Sequence, residues 1–209
     1  MLTVAGTTLY ATLRQPKETL KHAEELLRLA ETHHLRAFRG WAVFYLGWGH
    51  AELGDTEEGL REMTNGWEQL RATGTEASIA HLLTLLAEAY AKAGETGRSA
   101  KALTHAMHLA DKTHSHAYLA EMHRIQGEHH TTNAEKAESQ LRKAIDIAQT
   151  QNAKLWELRA TLSLARRWQA QGRKADARNR LASVYGQFSE GFNTPDLTKA
   201  LTLLKELSA

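Results

Sequence analysis

Three glycine-centred segments of this chain superimpose: AELGDTEEGL (51–60), AKAGETGRSA (91–100) and QAQGRKADAR (169–178). Gly54, Gly94 and Gly172 fall together, 40 and then 78 residues apart, so a further unit belongs midway. The stretch HHTTNAEKA (129–137) supplies it, with Thr132 as a helix cap and Glu135 as its capping-box partner. Asp55 and Glu58 repeat that arrangement in the earlier unit. Each unit reads as a long helix, a tight turn and a second long helix. Such a hairpin of about 40 residues cannot bury its apolar face alone, so the units must stack.

Composition agrees with an all-helical chain. Of 209 residues only 2 are proline and 14 glycine, and the 42% apolar share is rich in Ala and Leu, not in β-branched residues. The absence of cysteine removes disulfides, thiolate metal sites and cysteine nucleophiles together. With 26 basic and 24 acidic residues, the formal net charge of +2 favours neither nucleic acid nor an anionic membrane. No apolar run approaches the ~18 residues that span a bilayer, and MLTVAGTTLYATLR lacks a basic leader region, so a cytoplasmic location is expected. Punctuation places helices from Pro16 to about His33, then over 35–53, 55–73, 75–93, 95–113, 115–130, 133–151, 153–171 and 173–188. Thr194 and Pro195 open a last helix to about Leu207.

Small residues recur where these helices must approach closely. Leu46-Gly47, His50, Gly59, Met63 and Gly66 match the tetratricopeptide pattern of large-small in helix A and small, large, small in helix B. Leu86-Ala87, Tyr90, Ser99, Leu103 and Ala106 repeat it, as do Leu164-Ala165, Trp168, Ala177, Leu181 and Val184. Gly127, Ala137, Leu141 and Ala144 keep it with a turn about two residues shorter. The pattern resembles that of tetratricopeptide arrays, which implies an all-α, right-handed α-solenoid of about five hairpins. One domain over 1–209 is expected, with units at about 1–34, 35–74, 75–114, 115–152 and 153–190 and a capping helix over 195–207.

Four stretches carry a narrower resemblance: RGWAVFYLGWGHAELGDTEEGL (39–60), AEMHRIQGE (120–128), AKLWELRATLSLARRWQAQGR (153–173) and LASVYGQFSEGFNTPDLTKALTLLKEL (181–207). From about Leu20 onward the chain resembles the C-terminal tetratricopeptide-like region of bacterial regulators that join a class III adenylate/guanylate cyclase domain to an AAA-type ATPase domain. VYG, EGF and TPDL are the specific elements, because helical packing does not demand them. The sequence departs from that pattern at Gln187 and Asn193, where Trp and Asp are more typical. No cyclase domain and no G-x-x-x-x-G-K-[ST] loop is present. The resemblance therefore implies the regulatory, sensing or scaffolding part of such a protein.

In a tetratricopeptide array the A helices line the groove. The corresponding positions are Trp41, Phe44, Trp48 and Glu52, then His81, Thr84, Glu88 and Lys92, then Glu121, Arg124 and Glu128, then Arg159, Leu162, Arg166 and Gln169. This surface grades from aromatic through acid-leaning to basic. Trp41, Phe44 and Trp48, at i, i+3 and i+7, read as an aromatic anchor stripe, so Trp48→Ala should weaken binding and leave helicity intact. The competing reading buries the stripe under the preceding helices, including Leu9, Tyr10 and Leu13. Arg159 and Arg166 can fix a guest carboxylate or pair internally with Glu121 and Glu128.

The 12 histidines invite a metal reading, through His105 with His108 or His114 with His116. No third ligand shares their spacing and His129-His130 sits near a turn, so neither a metal nor a cofactor is expected. Protonating all 12 moves the formal charge from +2 to +14, which predicts acid-dependent behaviour. No G-x-S-x-G elbow occurs, and Glu57-Glu58 sits where capping explains it, so no catalytic role is expected. Aromatics and arginines lie at opposite ends, unlike a nucleic-acid stripe. The leading expectation is a non-catalytic module that binds a peptide or partner protein in its groove, with neither nucleic acid nor membrane as partner. The alternatives are a small-molecule receptor or unorthodox enzyme with an enclosed cavity near Trp41, Phe44 and Trp48, and a scaffold that self-associates through its end repeats.

Overall fold

A computed structural model describes residues 2–74, 79–129 and 133–208. Among these residues the chain is all-helical, with eleven α-helices and no strand. It divides into two compact units, Met1–Ser115 and His116–Ala209.

The first unit holds α1 (Leu2–Thr12), α2 (Pro16–Thr32), α3 (Arg36–Leu53), α4 (Thr56–Ala72), α5 (Ala80–Lys92) and α6 (Thr96–Lys112). Pro16 opens α2, where its missing N–H costs no helical hydrogen bond. α3 and α4 pack antiparallel with their backbones in contact, because glycine faces glycine at both ends. A Cβ on Gly47 would lie 2.5 Å from the Gly59 carbonyl oxygen, and one on Gly66 would lie 2.5 Å from the Phe44 amide nitrogen. The same register recurs in α5 and α6, where the buried Ser99 hydroxyl donates to the Ala87 carbonyl. Gly47→Ala should therefore lower stability by about 1–3 kcal/mol through overpacking, despite alanine's better helix propensity of about 1 kcal/mol. Gly97→Ala in α6 meets open space and should cost nothing, so thermal melts of the two variants separate packing from propensity.

The second unit holds α7 (Leu119–His129), α8 (Ala134–Thr150), α9 (Lys154–Ala170), α10 (Lys174–Tyr185) and α11 (Pro195–Glu206). A Cβ on Gly127 would meet the Ala137 carbonyl oxygen at 3.0 Å, so the small-on-small contact is kept at a sequence spacing two residues shorter than in α3 and α4. Ala165 and Ala177 occupy the equivalent positions of α9 and α10, both buried. α11 lays Leu197, Ala200 and Leu203 onto a core that contains Leu141, Leu158, Leu164, Leu181 and Val184.

The turns repeat as closely as the helices. Gly54, Gly94 and Gly172 all take left-handed φ, at 115°, 79° and 79°. The residue after each returns a backbone hydrogen bond to the ending helix: Asp55 to His50 at 3.0 Å, Glu95 to Tyr90 at 2.9 Å and Arg173 to Trp168 at 2.8 Å. This closure satisfies carbonyls that a helix end leaves open. Arg14, His34, His114 and Asn152 adopt φ between 52° and 57° in the same role, a conformation that costs a side chain about 1–2 kcal/mol.

Capping differs from the sequence reading. Asp55 stands at the N-cap of α4 without a side-chain cap bond, and Glu58 instead pairs with Arg61, so no capping box forms there. Thr132 lies outside the described residues, as does His130; α8 is capped by Asn133, whose Oδ1 accepts from the Lys136 amide at 2.9 Å. Thr194 precedes Pro195 as expected, but its hydroxyl donates backward to Gly191. α10 stops at Tyr185, short of 188, and α7 starts at Leu119, later than 115.

Candidate functional site

In the first unit the expected anchor stripe is core. Trp41, Phe44 and Trp48 are 9%, 0% and 1% exposed. The Trp41 ring packs against His81 at 5.3 Å and Tyr45 at 6.0 Å, and Phe44 meets Tyr45 edge-on at 5.7 Å. The Tyr45 hydroxyl sits 3.1 Å from Thr8 Oγ1 and 3.0 Å from His81 Nε2, linking α1, α3 and α5. The rings are thus buried among neighbouring helices of their own unit and are not free to receive a guest. The cover differs from the one expected: Leu9 points outward at 53% exposure, and Tyr10 stacks on His22 of α2.

Beyond the aromatics the same face carries a charge cluster. Arg14, largely buried, pairs with Glu88 and approaches Glu52 at 3.9 Å, while exposed Lys92 also pairs with Glu52. Thr84 is buried and bonds back to the Ala80 carbonyl. Arg14 escaped the sequence reading, because its role depends on a turn that carries it to helices about 40 and 75 residues away.

In the second unit charges sit where a free groove was expected. Glu121, Arg124, Arg159 and Asp196 are all buried. Arg124 takes Glu121 through two bonds of 3.0 Å and reaches exposed Glu128 at 2.8 Å. Arg159 grips Asp196 Oδ2 through Nε at 2.9 Å and Nη2 at 2.6 Å, lies over the Trp156 ring at 5.0 Å, and stands 3.8 Å from Glu121. The internal network expected between Arg159 and Glu121 is present, but its strongest partner is Asp196. The TPDL motif carried that signal, since its aspartate falls in the first turn of α11. Arg166 is exposed and joins no ion pair among the described residues, so it does not act with Arg159. Leu162 is buried, and Gln169 is half-buried.

The histidines serve as packing and hydrogen-bonding groups in separate places. His50 Nδ1 lies 2.7 Å from Glu62, His105 packs edge-on to Trp67, and His123 Nδ1 lies 2.8 Å from Gln140 Oε1. Among the described residues no three His, Cys, Asp or Glu side chains are placed to hold a metal ion. Burial lowers the His123 pKa below its ordinary 6.5; hydrogen bonds with Gln140 and Gln126 oppose this and nearby Lys143 reinforces it. The unfolded chain then binds this proton more readily than the folded one. The stabilisation is complete above about pH 6.5 and is lost as pH falls toward the folded value. His123→Gln should accordingly flatten the fall in melting temperature between about pH 7.5 and 5.5. An unchanged slope would remove His123 from the acid response.

One open surface cavity of about 920 Å³ borders α1 and α3, lined by Val4, Ala5, Thr8, Leu9, Thr12 and Phe38. A second, of about 560 Å³, lies between the start of α3 and the end of α4 and is lined by Arg36, Arg39, Gln69, Ala72 and Thr73. No helix among the described residues is long and apolar enough to cross a membrane. No protein-family model matches this chain, and no curated protein matches it.

Proposed function

We propose that this chain is a non-catalytic interaction module whose units are tetratricopeptide-like hairpins and whose partner is a peptide or protein. The observation that supports this reading is one small-on-small packing position, in contact in three helix pairs and matched in a fourth by two buried alanines. Gly47 on Gly59, Ala87 on Ser99, Gly127 on Ala137, and the equivalent Ala165 and Ala177 place small residues at the same helix-pair position. Hairpins of this kind present side chains from successive A helices on a shared surface, which suits extended partners better than small substrates. A regulatory or scaffolding role within a larger bacterial signalling protein follows the same proposal.

The buried state of Trp41, Phe44 and Trp48 moves the contact surface elsewhere. Exposed side chains such as Phe38, Leu9 and Arg166 are available to a partner, whereas Lys92, Arg159 and Arg124 are committed to internal carboxylates. The receptor or enzyme alternative called for an enclosed cavity, and the apolar cavity beside α1 is open.

Panning a random twelve-residue displayed-peptide library against the full chain tests the proposal. Enriched sequences that bind as free peptides with one-to-one stoichiometry are expected. A library that yields no reproducible binder would count against the module reading.

A further inference from the structure

Large apolar side chains that a fold leaves in water, beside cations it leaves unneutralised, report the chemistry of what covers them. The start of α3 has exposed apolar side chains beside one such cation, Arg36, and beside a second, Arg39, whose pair with Glu31 is exposed. Leu35 and Phe38 are 43% and 44% exposed, and Leu9 of α1, which lines the same cavity as Phe38, is 53% exposed. Helix α1 contributes no charge, because residues 2–13 contain no Asp, Glu, Lys or Arg. The cavity wall is therefore aliphatic and aromatic, relieved only by the Thr8 and Thr12 hydroxyls.

On the other side of the same helical turn the surface is cationic. Arg36 and Arg39 line the cavity shared with the end of α4, and exposed His33 and His34 precede them. Arg36 joins no ion pair among the described residues. Arg39 donates to Gln69 at 2.6 Å and stands 3.7 Å from Glu31, an exposed pair of little strength. Residues 36–39 span one turn, about 5 Å of axis on a helix about 10–12 Å across with its side chains, so an extended segment of a few residues, at about 3.3 Å each, can pass around the turn and reach both depressions.

We infer that the first turn of α3 is a docking site for an acidic peptide segment in which a large apolar residue is flanked by carboxylates. The apolar residue enters the cavity between Phe38 and Leu9, and the carboxylates pair with Arg36 and Arg39. Guanidinium groups favour carboxylates because the planar fork can donate two parallel hydrogen bonds. A peptide fits better than a lipid surface, since a bilayer presents a plane that enters neither depression. This inference rests on the interaction-module reading and names the partner's chemistry.

The experiment uses the full chain throughout. The twelve-residue library is panned against it, and the enriched sequences are scored for Asp and Glu beside Phe, Leu, Ile or Met. In parallel, a fluorescent twelve-residue peptide with a central Phe-Leu pair flanked by glutamates is titrated, alongside a version with every glutamate changed to lysine. The glutamate peptide should bind, and its affinity should fall about tenfold or more with Phe38→Ala and again with Arg36→Glu/Arg39→Glu. Affinity should also weaken as salt rises from about 50 to about 300 mM. Circular dichroism on the exposed-site variants checks that folding is unchanged. Equal binding of the lysine peptide, enrichment of basic or uncharged sequences, or indifference to Phe38→Ala would overturn the inference and leave the module reading standing. A library without any binder would sink both, and sedimentation of the chain with phosphatidylserine vesicles, lost in Phe38→Ala, would replace the peptide with a membrane.

Discussion

Trp48→Ala should lower the free energy of unfolding by about 3–5 kcal/mol, because it empties an indole-sized volume from a packed interior. Trp48 is among the largest fully buried side chains, and its helix carries Phe44 and Tyr45 in the same core. Backbones in contact at Gly47 and Gly66 limit how far α3 and α4 can move to refill the space. Chemical denaturation with fluorescence or circular dichroism measures the loss. Phe38→Ala on the same helix provides the contrast, since an exposed ring should cost less than about 1 kcal/mol. A Trp48→Ala protein as stable as the parent would return this residue to the surface and restore its role as a binding anchor.

Asp196→Ala should cost a comparable amount, about 3–5 kcal/mol, by leaving the Arg159 guanidinium buried without its closest carboxylate. Both groups are 6% exposed, so water cannot take over the lost bonds. Glu121 stands 3.8 Å from Arg159 but is already held by Arg124 through two bonds, which limits compensation. Replacing both partners by apolar residues, as in Arg159→Met/Asp196→Leu, should recover much of the stability, because the penalty comes from an orphaned charge and not from the pair's absence. Equal losses in the single and double variants would show that Asp196 acts through the helix start of α11 instead. The comparison bears on function, since it distinguishes an arginine held for structure from one held for a guest.

The hairpin register was legible because it depends on local spacing. Small residues at 47, 59, 87, 99, 127, 137, 165 and 177 follow from the repeat alone, as do the turn glycines at 54, 94 and 172. Their structural roles are close backbone approach and left-handed φ, and few residue types permit either. The capping box at Asp55 and Glu58 was not recoverable in this way. Arg61, one turn further on, offers Glu58 a charged partner that competes with the neutral backbone N–H of the cap.

The candidate site was legible only in part. Arg159 was singled out for the groove with Glu121 as an internal partner, yet it is buried and its dominant partner Asp196 sits 37 residues onward on a helix read only as a cap. Arg14 pairs with Glu88 over 74 residues. Nothing in either local pattern fixes such distances. Phe38 passed unnoticed, and Leu9 was read as cover for the aromatic stripe, for the converse reason. An apolar residue on a helix is ordinarily core, and only the placement of α1 against α3 shows that these two remain in water.

Sequence by itself determined that the chain is helical, where most of its helices turn and which small residues let them touch. Those features are set by backbone sterics within some 12 residues, and the alphabet encodes them directly. Tertiary structure alone decided which faces stay open. Thr8 and His81 enclose Tyr45 beside Trp41, Asp196 closes on Arg159, and Phe38 is left uncovered. Exposure is a property of neighbours distant in the chain, so an aromatic stripe and a core stripe share one sequence pattern until the helices around them are placed.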